Sequence, residues 1–107
     1  MPTLNDLLPE FALELHDGLQ AVGRHDIAAT VAGTPVFEWC GCDEPGCLTF
    51  YAQPKADMPA GEDCERIVPL VRGVLCLHVA AGQIVWLEAL GRPGDRAKIE
   101  EYEGKSP

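Results

Sequence analysis

The fold is decided by residues 73–90, whose sequence reads GVLCLHVAAGQIVWLEAL. Apolar and β-branched residues fill 74–79 and 83–89, and the short segment 80–82 between them ends in a glycine. Two such runs joined by a short glycine-containing connection predict a β-hairpin. Because both faces of these strands are largely apolar, we expect them to be central strands that the helices cover on one side.

An amphipathic helix is predicted near the N-terminus. Asp6 is a suitable N-cap, Pro9 fits the first turn, where its missing N–H costs no hydrogen bond, and Gly23 suits the C-terminal cap. A second, short helix is expected over residues 27–32. The apolar face of the first helix repeats at three- and four-residue steps and comprises Leu8, Phe11, Ala12, Leu15, Leu19 and Val22.

A second hairpin is predicted between residues 36 and 52. Strand-forming residues fill 36–40 and 48–52, and the Pro45-Gly46 pair between them turns the chain. Residues 67–71 form a weaker third strand, because Pro69 restricts them to a sheet edge or a bulge. The charged segment 96–103, which follows Asp95 as a cap, is predicted to be a short helix.

These elements are segregated along the chain, with helices first and strands afterwards. Such an order is typical of an α+β fold with an antiparallel sheet and not of a parallel βαβ sheet. We therefore predict a single α+β domain over residues 1–107. Its N-terminal helices pack on a four-stranded antiparallel sheet of two hairpins, and a short C-terminal helix follows.

The most chemically specific feature is the sequence CGCDEPGC at residues 40–47. Cys40 and Cys42 are two residues apart at a strand end and point to the same face, while Cys47 begins the returning strand. Three thiolates that converge in this way could bind zinc, which takes four tetrahedral ligands, although the spacing C-x-C-x4-C is not the paired C-x2-C of a strong zinc signature. The fourth ligand would come from another side chain: Cys64 or His78, or else Cys76, Asp43 or Glu44.

Two other interpretations of these cysteines remain open. Free cysteine behaves as a small apolar residue, so the three side chains could simply pack a tight turn. The C-x4-C pair, Cys42 and Cys47, could instead form a reversible disulfide across the turn, if their Cα atoms lie within about 7 Å. A reactive thiol needs a nearby cation to lower its pKa, whereas Asp43 and Glu44 are expected to raise it. Thiol redox chemistry is therefore the least favoured interpretation.

Composition limits the partners and the location. The chain has 17 acidic and 8 basic residues and a formal net charge of -9. An acidic surface repels phosphate backbones and anionic lipids, so we expect neither nucleic acid nor a membrane as a partner.

The first residues lack the basic and apolar regions of a signal peptide, which favours a cytoplasmic protein with reduced thiols. The sequence contains no nucleotide-binding, nucleophile-elbow or zinc-protease motif, so an enzyme is not favoured.

Aromatic residues of the predicted strands bear on the choice of partner. The ordinary expectation for Trp39 and Trp86 is that buried indoles anchor the sheet. If these rings instead lie exposed beside Phe37 and Tyr51, they would form an interface for a protein partner, such as a second copy of the chain.

The run Cys40-x-Cys42-x4-Cys47-x-Thr49-Phe50-Tyr51, followed by the strand–glycine–strand unit of 73–88, resembles small bacterial proteins. These have a helical N-terminus, a cysteine-rich hairpin and a terminal strand–glycine–strand unit. The resemblance covers most of the chain and implies this layout and a bacterial origin. It carries over no activity and no functional residue. Cys64 and His78 lie outside the shared pattern, which counts against both as a fourth ligand.

Three functions follow, in order of preference. The first is a non-enzymatic protein-interaction module, which binds a protein partner or forms a homodimer through an exposed sheet face and the acidic surface. The second is a zinc-binding module, structural or regulatory, built on Cys40, Cys42 and Cys47. The third is a thiol redox protein that uses the same sulfur atoms. No cofactor is expected, apart from zinc in the second of these functions.

Overall fold

The computed structural model describes residues 2–40, 42–54, 57 and 64–104, which form a mixed helix-and-sheet architecture. Within those residues, no helix has both the length and the apolar character needed to cross a bilayer. The helices are α1 (Leu4–Leu7), α2 (Pro9–Ala21), α3 (His25–Ala28) and α4 (Pro93–Gly104), and the strands are β1 (Glu38–Trp39), β2 (Phe50–Tyr51), β3 (Glu65–Ile67), β4 (Val74–Ala80) and β5 (Gln83–Ala89).

The β4–β5 hairpin forms the centre of the sheet, as the sequence predicts. The strand order is β1-β2-β5-β4-β3, and each neighbouring pair is antiparallel. Ala80 pairs with Gln83, and the turn between them consists of Ala81 and Gly82, with φ angles of 52° and 75°. Positive φ at both central positions suits a two-residue turn that matches the twist of the strands. β4 is therefore one residue longer than predicted.

The sheet has five strands among the described residues, so the predicted count of four is wrong. The additional strand is β3, which pairs with β4 at the sheet edge, where Arg66 lies opposite His78. The weak strand predicted over 67–71 is displaced: pairing ends at Ile67, two residues before Pro69, which has no N–H to donate. The two polar residues of β3 followed by one apolar residue give too short an alternation to predict a strand.

The first hairpin also forms, in a shorter version than the sequence predicts. β1 and β2 pair over two residues each, and β2 then pairs with β5. Beyond the last pair, the N–H of Cys40 donates to the carbonyl oxygen of Thr49 at 3.0 Å. The two ends of the cysteine-bearing loop are therefore held about one strand spacing apart, roughly 4.8 Å.

The N-terminal helical region is divided in two, which the sequence does not predict. α1 begins after Thr3, whose hydroxyl accepts the N–H of Asp6 at 3.2 Å, while the Asp6 carboxylate accepts the N–H of Thr3 at 3.0 Å. Asp6 is thus the third residue of α1 in a capping box and not the predicted N-cap. Pro9 opens α2, as expected, and α3 ends at Ala28 before the predicted end at residue 32.

Arg92 joins α2 to α4, which begins three residues earlier than predicted. Its Nε donates to the Asp95 carboxylate at 2.6 Å, and its Nη2 donates to both carboxylate oxygens of Glu14 at 3.1 Å. The guanidinium also lies 4.7 Å from the centre of the Phe11 ring. Asp95, the predicted cap, therefore serves to hold Arg92 over the core.

One apolar core lies between the helices and the sheet. It combines the predicted face of α2 with the inward side chains of the strands, and of the described cysteines it contains none. Its large, almost fully buried members include Leu8, Phe11, Leu15, Leu19, Phe50, Leu77 and Leu87. Cys47 and Cys76 are buried as well, but they lie outside this connected cluster, whose members pack on one another.

Gly18 allows the segment before β4 to lie directly against α2. The N–H of Leu70 donates to the carbonyl oxygen of Gly18 at 3.2 Å. A Cβ atom at Gly18 would overlap the Val71 side chain and lie 2.8 Å from the carbonyl oxygen of Leu70. Any side chain at this position would force the two segments apart.

We predict that Gly18→Ala destabilises the protein by about 1–3 kcal/mol, the usual cost of overpacking. Helix propensity alone gives the opposite sign, since alanine is favoured over glycine in a helix by roughly 1 kcal/mol. Gly94→Ala is the matched control, because Gly94 also lies in a helix and a Cβ there meets no described atom within 4 Å. Urea unfolding measures both variants, and a stabilised Gly18→Ala would contradict the close contact.

Candidate metal centre

The structure brings the sulfur atoms of Cys40, Cys42 and Cys47 together at the loop end of the β1–β2 hairpin. All three lie within 4.8 Å of one another. Three sulfurs bound to one zinc ion are about 3.8 Å apart, because each Zn–S bond is about 2.3 Å and the geometry is tetrahedral. A contraction of about 1 Å would therefore close the thiols on an ion. Cys40 is exposed, Cys42 half-buried and Cys47 buried, so solvent reaches the cluster from the side of Cys40.

A β-turn within the loop places Cys47 opposite the other two cysteines. The N–H of Cys47 donates to the carbonyl oxygen of Glu44 at 3.1 Å, with Pro45 and Gly46 at the central positions that these residues favour. The turn packs on the chain before α4, since the N–H of Arg92 donates to the carbonyl oxygen of Gly46 at 2.9 Å. A Cβ at Gly46 would come within 3.0 Å of backbone in that segment, so glycine permits the close approach.

Arg96 of α4 fixes the rest of the loop. Its Nη1 donates to the carbonyl oxygens of Glu44 and Cys47, both at 3.1 Å, and its Nη2 donates to that of Cys42 at 2.6 Å. Nη1 also lies 4.0 Å from the sulfur of Cys42. The carboxylate of Glu100 accepts from Nε at 3.0 Å and orients the guanidinium. One side chain therefore pairs three loop carbonyls and places a positive charge beside the thiols, a role that sequence reasoning missed.

Hydrogen bonds lower the pKa of the Cys42 thiol to about 7. The largest cause is the thiol of Cys47, which donates to the Cys42 sulfur, and the second is the backbone N–H of Glu44. The guanidinium of Arg96 contributes in the same direction, because a donor with a positive charge stabilises the thiolate. Cys42 is thus the thiol of the cluster that ionises near neutral pH.

The pKa of the Cys40 thiol is raised instead. Partial burial of its sulfur is the main cause, and its hydrogen bond to the Cys42 sulfur also favours the protonated form. The sequence-based expectation that Asp43 and Glu44 raise the thiol pKa values is wrong for Cys42. There the backbone N–H of Glu44 and the neighbouring thiols act in the opposite direction.

Neither predicted fourth ligand, Cys64 or His78, lies with the three thiols. Cys64 directly precedes β3, at the sheet edge opposite to β1. His78 lies on β4, with its Nε2 2.7 Å from a carboxylate oxygen of Glu88 and its ring stacked on Trp86 at 4.1 Å. The cluster also leaves out Cys76, Asp43 and Glu44. The described residues therefore bring three ligand atoms together and not four.

The four aromatic residues considered as a partner surface do not share one exposed face. Trp39 packs against the core, 5.4 Å from the ring of Phe50. Tyr51 and Trp86 stack on each other at 5.5 Å, and strand alternation puts Tyr51 on the face opposite to its neighbour Phe50. Phe37 is the most exposed of the four, at 44%. An aromatic interface of all four residues is therefore not formed.

No protein-family model matches this chain, and neither the curated proteins nor the solved structures gave a significant match. A function is therefore inferred from the geometry and electrostatics of the thiol cluster.

In the metal-free protein, we predict that Cys42 reacts with iodoacetamide faster than the other cysteines at pH 7. The thiolate is the nucleophile, so the rate should rise with pH and reach half its maximum near the pKa of about 7. Arg96→Gln removes the positive charge beside the sulfur and should move this midpoint to higher pH.

Mass spectrometry of the alkylated peptides measures each rate as a function of pH. Arg66→Gln is the control, because Arg66 contacts Cys76 and lies on β3, at the sheet edge opposite to β1, so this variant should leave the Cys42 profile unchanged. A wild-type midpoint near the ordinary thiol value of about 8.5 would contradict the assigned environment of Cys42.

Proposed function

We propose that this protein is a zinc-binding module whose ion is held by the thiolates of Cys40, Cys42 and Cys47. The observation that carries the proposal is the convergence of three sulfurs within 4.8 Å in a loop that hydrogen bonds hold at both ends. Thiolates are soft ligands, and they favour zinc over the harder magnesium and calcium ions.

The loop is suited to supply thiolates at neutral pH. A cysteine must lose its proton to bind a metal ion. With a pKa of about 7, Cys42 is roughly half ionised at pH 7 before any ion arrives. The guanidinium of Arg96 offsets part of the negative charge that three thiolates create. An ion attracted first by Cys42 would then favour ionisation of Cys40 and Cys47, because its own charge stabilises both thiolates.

The proposed role of the ion is regulatory and local. The apolar core contains none of the described cysteines, so the helices and the sheet pack without the ion. Its binding would draw the three sulfurs together and fix residues 42–47 against α4. Metal occupancy would thus change one surface region of a protein that stays folded.

A protein-interaction module is the second proposal, and one observation favours it. Phe37 is exposed next to β1, an edge strand of two residues that leads directly into the cysteine-bearing loop. Exposed apolar side chains at sheet edges are common in binding surfaces, including those between identical chains. Light scattering of zinc-loaded protein tests whether the chain forms a homodimer through this surface. The apparent mass should then increase with protein concentration, and it should be lower for Phe37→Ser than for the wild type.

We predict that zinc-supplemented protein contains about one zinc ion per chain after gel filtration. Cys42→Ser should remove most of this metal, because it deletes one of three ligands. Cys64→Ser is the matched control, since Cys64 lies at the far edge of the sheet, and it should retain the wild-type content. Elemental analysis measures the metal, and equal zinc contents in all three proteins would overturn the proposal.

Removal of the ion by a chelator should lower the melting temperature by roughly 10 °C without unfolding the protein at 25 °C. A ligand at 100 times its Kd adds about 2.7 kcal/mol, and 1 kcal/mol moves the Tm of a domain of this size by about 4 °C. Calorimetry with and without chelator measures the change, and Cys42→Ser should show none. A wild-type protein that unfolds at 25 °C on chelation would show that the metal is structural, against the regulatory role.

A further inference from the structure

A small cavity lies directly beside the thiol cluster, between the β1–β2 hairpin and α4. Its volume is about 40 Å³. Because one water molecule needs roughly 10–15 Å³, the cavity has room for a few waters or for one ligand of a few atoms. Cys40 and Cys47 form the wall that carries sulfur atoms. The rest of the cavity is lined by Trp39, Thr49, Arg96, Ile99 and Glu100.

We propose that the bound zinc keeps its fourth coordination position open towards this cavity and holds there a water molecule or a small monoanion. This inference rests on the proposed function. The described residues bring three ligand atoms together, whereas zinc in proteins takes four ligands. Cys40 and Cys47 line both the ion site and the cavity, so the vacant position has space on that side. An exchangeable fourth ligand distinguishes such a site from a closed structural one.

Charge and size limit what the fourth ligand can be. Zinc with three thiolates carries a single net negative charge, which the guanidinium of Arg96 offsets. The carboxylate of Glu100 at the cavity wall then disfavours a ligand with two negative charges. The volume excludes anything beyond a few atoms. The fit is therefore to water or to a compact monoanion.

The same ligand set argues against hydrolytic chemistry. Zinc acidifies bound water through its positive charge. Three anionic ligands cancel that charge, so the water at this position should stay largely neutral at pH 7. The open position is suited to ligand exchange. A small monoanion that replaces the water there would change the coordination of the ion held by the loop.

Cobalt(II) tests the inference, because its visible absorption reports coordination number and ligand type. We expect the cobalt-loaded protein to show a tetrahedral spectrum that changes saturably when azide is added. Glu100→Gln removes the carboxylate alone, whereas Glu100→Trp also places a bulky ring at the cavity, so azide should bind Glu100→Trp roughly tenfold more weakly than Glu100→Gln. Glu101→Trp carries the same ring on the next residue of α4, outside the cavity lining, and should bind azide like the wild type.

The outcomes separate this inference from the proposed function. Cobalt that binds the wild type but not Cys42→Ser supports the metal site, and a spectrum insensitive to azide then overturns only the open position. An equal azide affinity in Glu100→Trp and Glu100→Gln also overturns it, because the cavity would not be where azide binds. Cobalt that binds Cys42→Ser as well as the wild type overturns both.

Discussion

The conformation of the cysteine-bearing loop depends on one side chain from a distant part of the sequence, that of Arg96. Its guanidinium donates to the carbonyl oxygens of Glu44, Cys42 and Cys47 in the loop, of which that of Glu44 also accepts the N–H of Cys47. A loop held by its own backbone carbonyls leaves its side chains free to point inward, so the thiols of Cys42 and Cys47 face each other. The same guanidinium supplies the positive charge that a cluster of thiolates requires. Arg96 therefore helps to hold the loop and also lowers the pKa of Cys42, to which the Cys47 thiol and the backbone N–H of Glu44 contribute more.

Sequence patterns predict those elements whose signal is local and regular. A period or a turn signature that can be recognised in one sequence marks three elements: the apolar face from Leu8 to Leu19, the β4–β5 hairpin and the Pro45-Gly46 turn. β3 lacks such a signal, because Glu65 and Arg66 show no apolar alternation. Only its pairing with β4 makes the segment a strand.

The site divides in the same way. The convergence of three cysteines could be predicted because Cys40, Cys42 and Cys47 are close in sequence and a turn lies between them. Arg96 could not be predicted, since 49 to 54 residues separate it from the carbonyls that it pairs. The pKa of Cys42 could not be predicted from the neighbouring carboxylates in sequence. The fold brings the Cys47 thiol, the backbone N–H of Glu44 and the Arg96 guanidinium to the Cys42 sulfur, and all three lower its pKa.

The position of the cluster outside the apolar core sets what an ion can do. The connected cluster of aliphatic side chains with Phe11 and Phe50 contains no cysteine, so the proposed ion would act on a loop and not on the fold. The acidic surface of the chain, with a formal charge of -9, also attracts cations to the neighbourhood of the loop. Under the proposal, selection of zinc would depend on the soft thiolates rather than on charge.

X-ray absorption at the zinc edge of the loaded protein tests the central claim most directly. The expected first shell contains three sulfur atoms at about 2.3 Å and one lighter atom at about 2.0–2.2 Å. A shell of lighter atoms alone would contradict binding by Cys40, Cys42 and Cys47. A shell of four sulfur atoms would contradict the open position, because a fourth thiolate would then occupy it.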